Sequence, residues 1–179
     1  MSLQKQGDLD SLCGIYATIN DVGCLVNWNN DDRRDLFHHI VNQLGCGGLF
    51  RIIKDGTGRN VLSAFVLRSA LEWVEVNKYC VIKAHKMRNQ SKMSLEDIWS
   101  KLETFFEEND SMCSIIFGYN HIHKPSHCTC IHGISKAQLY IKDGNIKRMY
   151  KSKFSLQEPT QEKPYSISPS WIWMVRLGK

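Results

Sequence analysis

The strongest constraint on how this chain folds is a change of hydrophobic period partway along it. Up to about residue 110, apolar side chains recur at helical spacing; beyond that they fall into short runs that read as strands. Leu12, Ile15, Tyr16 and Ile19 lie on one helical stripe that runs to Val22. "DDRRDLFHHIVNQLG" reads as a second helix, acidic in its first turn and stopped by Gly45. A glycine-rich connector, "CGGLFRIIKDGTG", then leads into the long apolar face of "RNVLSAFVLRSALEWVEVNKY" and a short β-branched run, "CVIKAHK". "SLEDIWSKLETFFEEN" opens with a Ser-x-x-Asp capping pattern at Ser94 and Asp97 and continues with Ile98, Leu102, Phe105 and Phe106. Strands follow at "MCSIIFGY", "HCTCIHGI", "QLYIKDG", "IKRMY" and "WIWMVRL", the last after a polar, proline-bearing loop, "QEPTQEKPYSISPS". Helices followed by a mostly antiparallel sheet make an α+β fold class. Residues 1–179 read as one domain, without repeats or a dividing linker.

Composition narrows the function. The chain is 42% hydrophobic and carries a net charge of +5, but its 23 Lys and Arg are dispersed among acidic residues. With no basic run interleaved with aromatics, nucleic acid is not an expected partner. No apolar stretch approaches the roughly 20 residues of a membrane span, and "MSLQKQGDLD" has no apolar signal core. A cytoplasmic location is therefore expected, with delivery as a secreted effector left open. Seven cysteines, an odd number without regular spacing, suggest reduced thiols rather than a disulfide framework. "DGTGRN" lacks the Walker lysine and reads as a loop leading into a helix, so no cofactor is expected.

Within "SLCGIYATIN", Cys13 falls in the first turn of the first helix, where free amides and the helix dipole favour a thiolate. Gly14, without a Cβ, leaves room there for substrate or backbone. A nucleophilic thiol needs a base, and the base needs an orienting group. "HCTCIHGISKAQLYIKDG" supplies both if it forms a hairpin centred near Ser135. His127 then faces Asp143, Thr129 faces Ile141 and Ile131 faces Leu139, and the carboxylate can accept the imidazole N–H. Upstream, Gln6, with Gln4 as the alternative, can offer its side-chain amide to a tetrahedral oxyanion, together with the backbone N–H of Cys13.

Gln6, "LCGIYATIN" around Cys13, His127 opening a strand and Asp143 in "LYIKDG" together resemble the papain-like cysteine peptidases. The "CG" leading into a helix is most similar to the bacteriocin-leader, double-glycine peptidase branch. The resemblance implies N-terminal helices packed on a C-terminal antiparallel sheet, with Cys13 as nucleophile, His127 as general base and then acid, Asp143 as its orienter, and Gln6 in the oxyanion hole. It implies a peptide or protein substrate. The chain departs from that branch at Leu12, which stands where Asp is common, in the Gln6 to Cys13 spacing, and at Cys128, which replaces an aromatic residue after the histidine.

The same thioester chemistry serves proteolysis, glutamine deamidation and transglutamination, and the sequence leaves these three open. It leaves the oligomeric state open as well. Two other classes compete. His121, His123, His127, Cys128, Cys130 and His132 crowd one segment with residues that zinc accepts, although alternation on a strand turns Cys128, Cys130 and His132 away from His127. An interaction module that keeps the fold without the chemistry is the other alternative.

Overall fold

The computed structural model describes residues 12–78, 80–88, 93–109, 112–143 and 146–178. It is a mixture of helix and antiparallel sheet. The helical part comprises α1 (Cys13–Leu25), α2 (Asn30–Asp55), α3 (Arg59–Val61), a π-helical turn (Leu62–Val66) and α4 (Leu67–Lys78), with α5 (Leu95–Asn109) following β1 (Ile82–Lys86). The remaining strands are β2 (Cys113–His121), β3 (Lys124–Ile134), β4 (Gln138–Asp143), β5 (Ile146–Tyr150), β6 (Phe154–Ser155) and β7 (Tyr165–Leu177). They form one sheet in the order β1-β7-β2-β3-β4-β5, with the short β6 joining β7 in parallel.

Alternation along the strands divides the apolar residues between two cores. Ile116, Cys128, Trp173 and Val175 point to one side and meet α1, α2 and α4. Ile115, Phe117, Ile131 and Ile172 point to the other and meet Ile98, Trp99, Leu102 and Phe105 of α5. Helices therefore cover both faces of the sheet, and the helix placed between β1 and β2 in sequence takes the face opposite the first four.

The capping pattern expected at the start of α5 is present. The Ser94 backbone N–H donates to Asp97 Oδ2 at 2.8 Å, and the Asp97 N–H donates to Ser94 Oγ at 3.1 Å. At Gly45 the chain adopts φ 64°, ψ 173°, conformations that need glycine, yet helix resumes beyond it to Asp55 instead of giving way to a loop. Fully buried Ile52 anchors this second segment. The last strand begins at Tyr165, well before "WIWMVRL", because a bulge between Ile167 and Ile172 takes Pro169 out of the ladder.

The β3–β4 hairpin also departs from the simple pairing. Near its turn Ile134 faces Leu139 and Gly133 faces Tyr140, but after a bulge Ile131 faces Ile141, not Leu139. Continued without the bulge, the first register would set Cys130 opposite Asp143. The one extra residue on β3 restores the alternation that lets Asp143 share a face with His127. Among the described residues, no helix is long and apolar enough to cross a membrane.

Replacing Ser94 with Ala removes the hydroxyl acceptor at the start of α5 and should cost about 1 kcal/mol. The expected readout is a lower denaturant midpoint with an unchanged slope in urea unfolding.

Candidate active site

The first turn of α1 begins after Leu12, whose carbonyl accepts the Ile15 and Tyr16 amides at 2.8 and 3.1 Å. This leaves the earlier amides of the helix aimed at its start, and Cys13 stands there, 7% exposed. The thiol is lowered from its ordinary 9.0 to about 7. A hydrogen bond from the Cys128 thiol contributes most; burial opposes it, and the charge of His127 and the backbone amides of Cys128 and Gly14 add to the lowering. Cys128 is pushed well above its ordinary value by the same bond and by burial, so it remains a donor.

His127 and Asp143 come together as expected, although by a different register. The imidazole Nε2 is 2.8 Å from Asp143 Oδ2, and the carboxylate is 5% exposed. Extending the Ile131↔Ile141 pairing outward sets Thr129 opposite Asp143, so His127 reaches the carboxylate along the diagonal. Tyr119, the cross-strand partner of His127, packs edge-on against the imidazole with ring centroids 5.5 Å apart. Burial, then the Asp143 charge, push the Tyr119 hydroxyl up, which keeps it neutral.

Beside these residues lies a cleft of about 240 Å³ lined by Gly118, Tyr119, Asn120, Ser166, Ser168 and Trp171. It adjoins the site through Tyr119, next to His127, and through Gly118, which pairs with Cys128 across β2 and β3. Its lining carries hydroxyl, amide and indole groups without a formal charge.

Gly14 has a different use from the one expected. A Cβ built there would lie 2.5 Å from Thr57 Cγ2 and 2.7 Å from Thr57 Cβ, so the space it leaves is filled by this buried threonine from the loop after α2, not by substrate. Gln6 and Gln4 lie outside the described residues. Within the His/Cys-rich segment, Cys128 and Cys130 are fully buried, whereas His132, at the bulge after Ile131, is exposed. Among the described residues, no three His, Cys, Asp or Glu side chains converge to hold a metal ion.

Sequence reasoning did not find Tyr119, nor Cys128 as donor to Cys13. The sequence reading turned the His127 face of β3 toward the helices, whereas in the structure it is Cys128 and Cys130 that face α1. It also did not find a second perturbed thiol: Cys24, at the far end of α1, is likewise lowered to about 7. Compared with family models, with curated proteins and with solved structures, the chain matches none.

Two outcomes test this geometry. Alkylation of Cys13 by iodoacetamide, followed on its own peptide, should rise with pH around a midpoint near 7, because the thiolate is the reacting form; Cys128→Ala should move that midpoint toward 9. Gly14→Ala should force Thr57 aside and destabilise the protein by about 1–3 kcal/mol, which a thermal melt would register, with partial rescue by adding Thr57→Ser.

Proposed function

We propose that the protein is a thiol-dependent hydrolase or acyltransferase acting on a peptide or amide bond, with Cys13 as nucleophile, His127 as general base and acid, and Asp143 as orienter. The observation that carries this reading is an imidazole bonded at 2.8 Å to a nearly buried carboxylate, together with a Cys13 thiol lowered to about 7, chiefly by the Cys128 hydrogen bond and further by the charge of His127.

In this scheme the Cys13 sulfur attacks the carbonyl carbon, and the carbonyl electrons move to oxygen. The amide at the start of α1 donates to that oxyanion, aided by Gln6 or Gln4. The protonated His127 then gives its proton to the leaving nitrogen, the C–N bond breaks, and a thioester remains on Cys13. Water or an amine, deprotonated by His127, attacks the thioester and releases the thiolate. Asp143 holds the imidazole in the tautomer that makes both transfers, and Tyr119 limits its rotation. The uncharged cleft beside the site suits a neutral polar segment of a peptide or protein substrate. Hydrolysis, deamidation and transglutamination remain alternatives that differ in substrate and attacking nucleophile. The resemblance to papain-like enzymes of the double-glycine branch is the reading most consistent with this set of residues.

The test is a series of four variants, checked for folding and then assayed on an amide substrate turned over by the wild type. Cys13→Ala should abolish turnover, and His127→Ala should lose nearly as much, because thiol activation and leaving-group protonation both disappear. Asp143→Asn should lose less, since an amide oxygen still accepts the imidazole N–H. Gln6→Ala should fall by about 10²-fold if its amide meets the oxyanion. Full activity in Cys13→Ala would overturn the mechanism.

A further inference from the structure

A second thiol pair lies along the same helix and strand, away from the proposed chemistry. Cys13 and Cys24 are about three helical turns apart on α1, so both face β3. Cys13 meets Cys128, and Cys24 meets Cys130, with the Cys24 and Cys130 sulfurs 3.7 Å apart. Lys142 reaches from β4 to this second pair. Its Nζ lies 3.6 Å from Cys24 Sγ and 3.4 Å from the Gly23 carbonyl oxygen. Cys24 is half-buried, whereas Cys130 is fully buried. The two thiols therefore differ: one is reachable from solvent and sits beside an ammonium, and the other is shielded and within contact of the first.

We propose that Cys24 and Cys130 form a redox modification site, in which a hydroperoxide oxidises Cys24 and Cys130 resolves it to a disulfide joining α1 to β3. The electrostatics favour this order. Cys24 is lowered to about 7 by the bond from Cys130, against burial, with the Lys142 charge adding to it; burial pushes Cys130 up. In the first step the Cys24 thiolate attacks a peroxide oxygen. An S–O bond forms, the O–O bond breaks, and the departing oxygen takes a proton and leaves as water when the oxidant is hydrogen peroxide. In the second step the Cys130 sulfur attacks the Cys24 sulfenic sulfur. The S–O bond breaks, and hydroxide leaves with the Cys130 proton as a second water. Two thiols are oxidised and one peroxide is reduced. On bond formation the sulfurs close from 3.7 Å to about 2.05 Å.

The experiment uses the full chain carrying Cys13→Ala, which removes the competing pair and makes the result independent of the proposed catalytic role. The protein is exposed to hydrogen peroxide at neutral pH, free thiols are blocked with iodoacetamide, and the non-reduced digest is mapped by mass spectrometry. The expected product is a crosslinked peptide pair containing Cys24 and Cys130, released by dithiothreitol. Because the closed loop separates residues 106 apart in sequence, Tm should also rise by about 10 °C and fall back on reduction. Cys24→Ser should abolish both changes while remaining folded by thermal melt. A crosslink mapping to any other pair would overturn the proposal, as would Cys24 accumulating as sulfinic acid while Cys130 stays alkylatable on unfolding.

Discussion

The structure depends on burying α1 nearly all round against the centre of the sheet. Cys13, Gly14, Ile15, Ala17, Thr18, Ile19, Asn20, Asp21, Val22, Gly23 and Leu25 are all buried along its 13 residues. A helix packed this completely needs each polar group answered, since an unmet buried group costs on the order of 1–3 kcal/mol. Thr18 Oγ1 donates back to the Gly14 carbonyl at 2.9 Å, and Asn20 Nδ2 donates to the Lys142 carbonyl at 3.1 Å. Asp21 is the exception: completely buried, with neither carboxyl oxygen hydrogen-bonded among the described residues, it is driven well above the ordinary carboxylate range by desolvation. The bond from Asn20 ties the helix to the strand that ends in Asp143. Positioning of the proposed nucleophile and of its remote carboxylate are thus two results of one packing event.

The two ends of the helix differ in the charge they favour. At the N-terminal end, Cys13 lies where backbone amides and the His127 charge favour an anion; at the C-terminal end, the Lys142 ammonium meets the Gly23 carbonyl and the Cys24 sulfur. Successive residues of β4 serve opposite faces of the sheet. Lys142 points to α1, while Asp143 turns to His127.

Much of this was legible in the sequence where local chemistry decides the outcome. The Ser94–Asp97 capping pattern, the amphipathic run of α5 and the sequence of short strands all correspond to observed elements. His127 and Asp143 were paired by hairpin arithmetic whose alternation was right although its register was not, because the bulge after Ile131 displaced the partners while keeping the two residues on one face. Illegible were features that long-range packing decides. Helix continues past Gly45 because Ile52 finds a core, Gly14 serves Thr57, and β7 accepts Pro169 only because a bulge removes that residue from the ladder. The Cys24–Lys142 contact joins residues 118 apart in sequence, and no local spacing announces it. Gln6 and Gln4, inferred from their distance to Cys13, fall outside the described residues.

The strand order has a consequence for how the molecule assembles. β7 follows every other strand in the chain, yet it lies between β1 and β2, and β1 meets the sheet only through it, with Ile82 set against Leu177. Such a ladder cannot form by local zippering; it waits on closure of nearly the whole intervening chain, which makes it a slow step. On a ribosome the thiol-bearing helix emerges well before the strand that supplies Trp173 and Val175 to the core around it. A chain in which β7 has not docked therefore leaves α1 with part of its core unfilled.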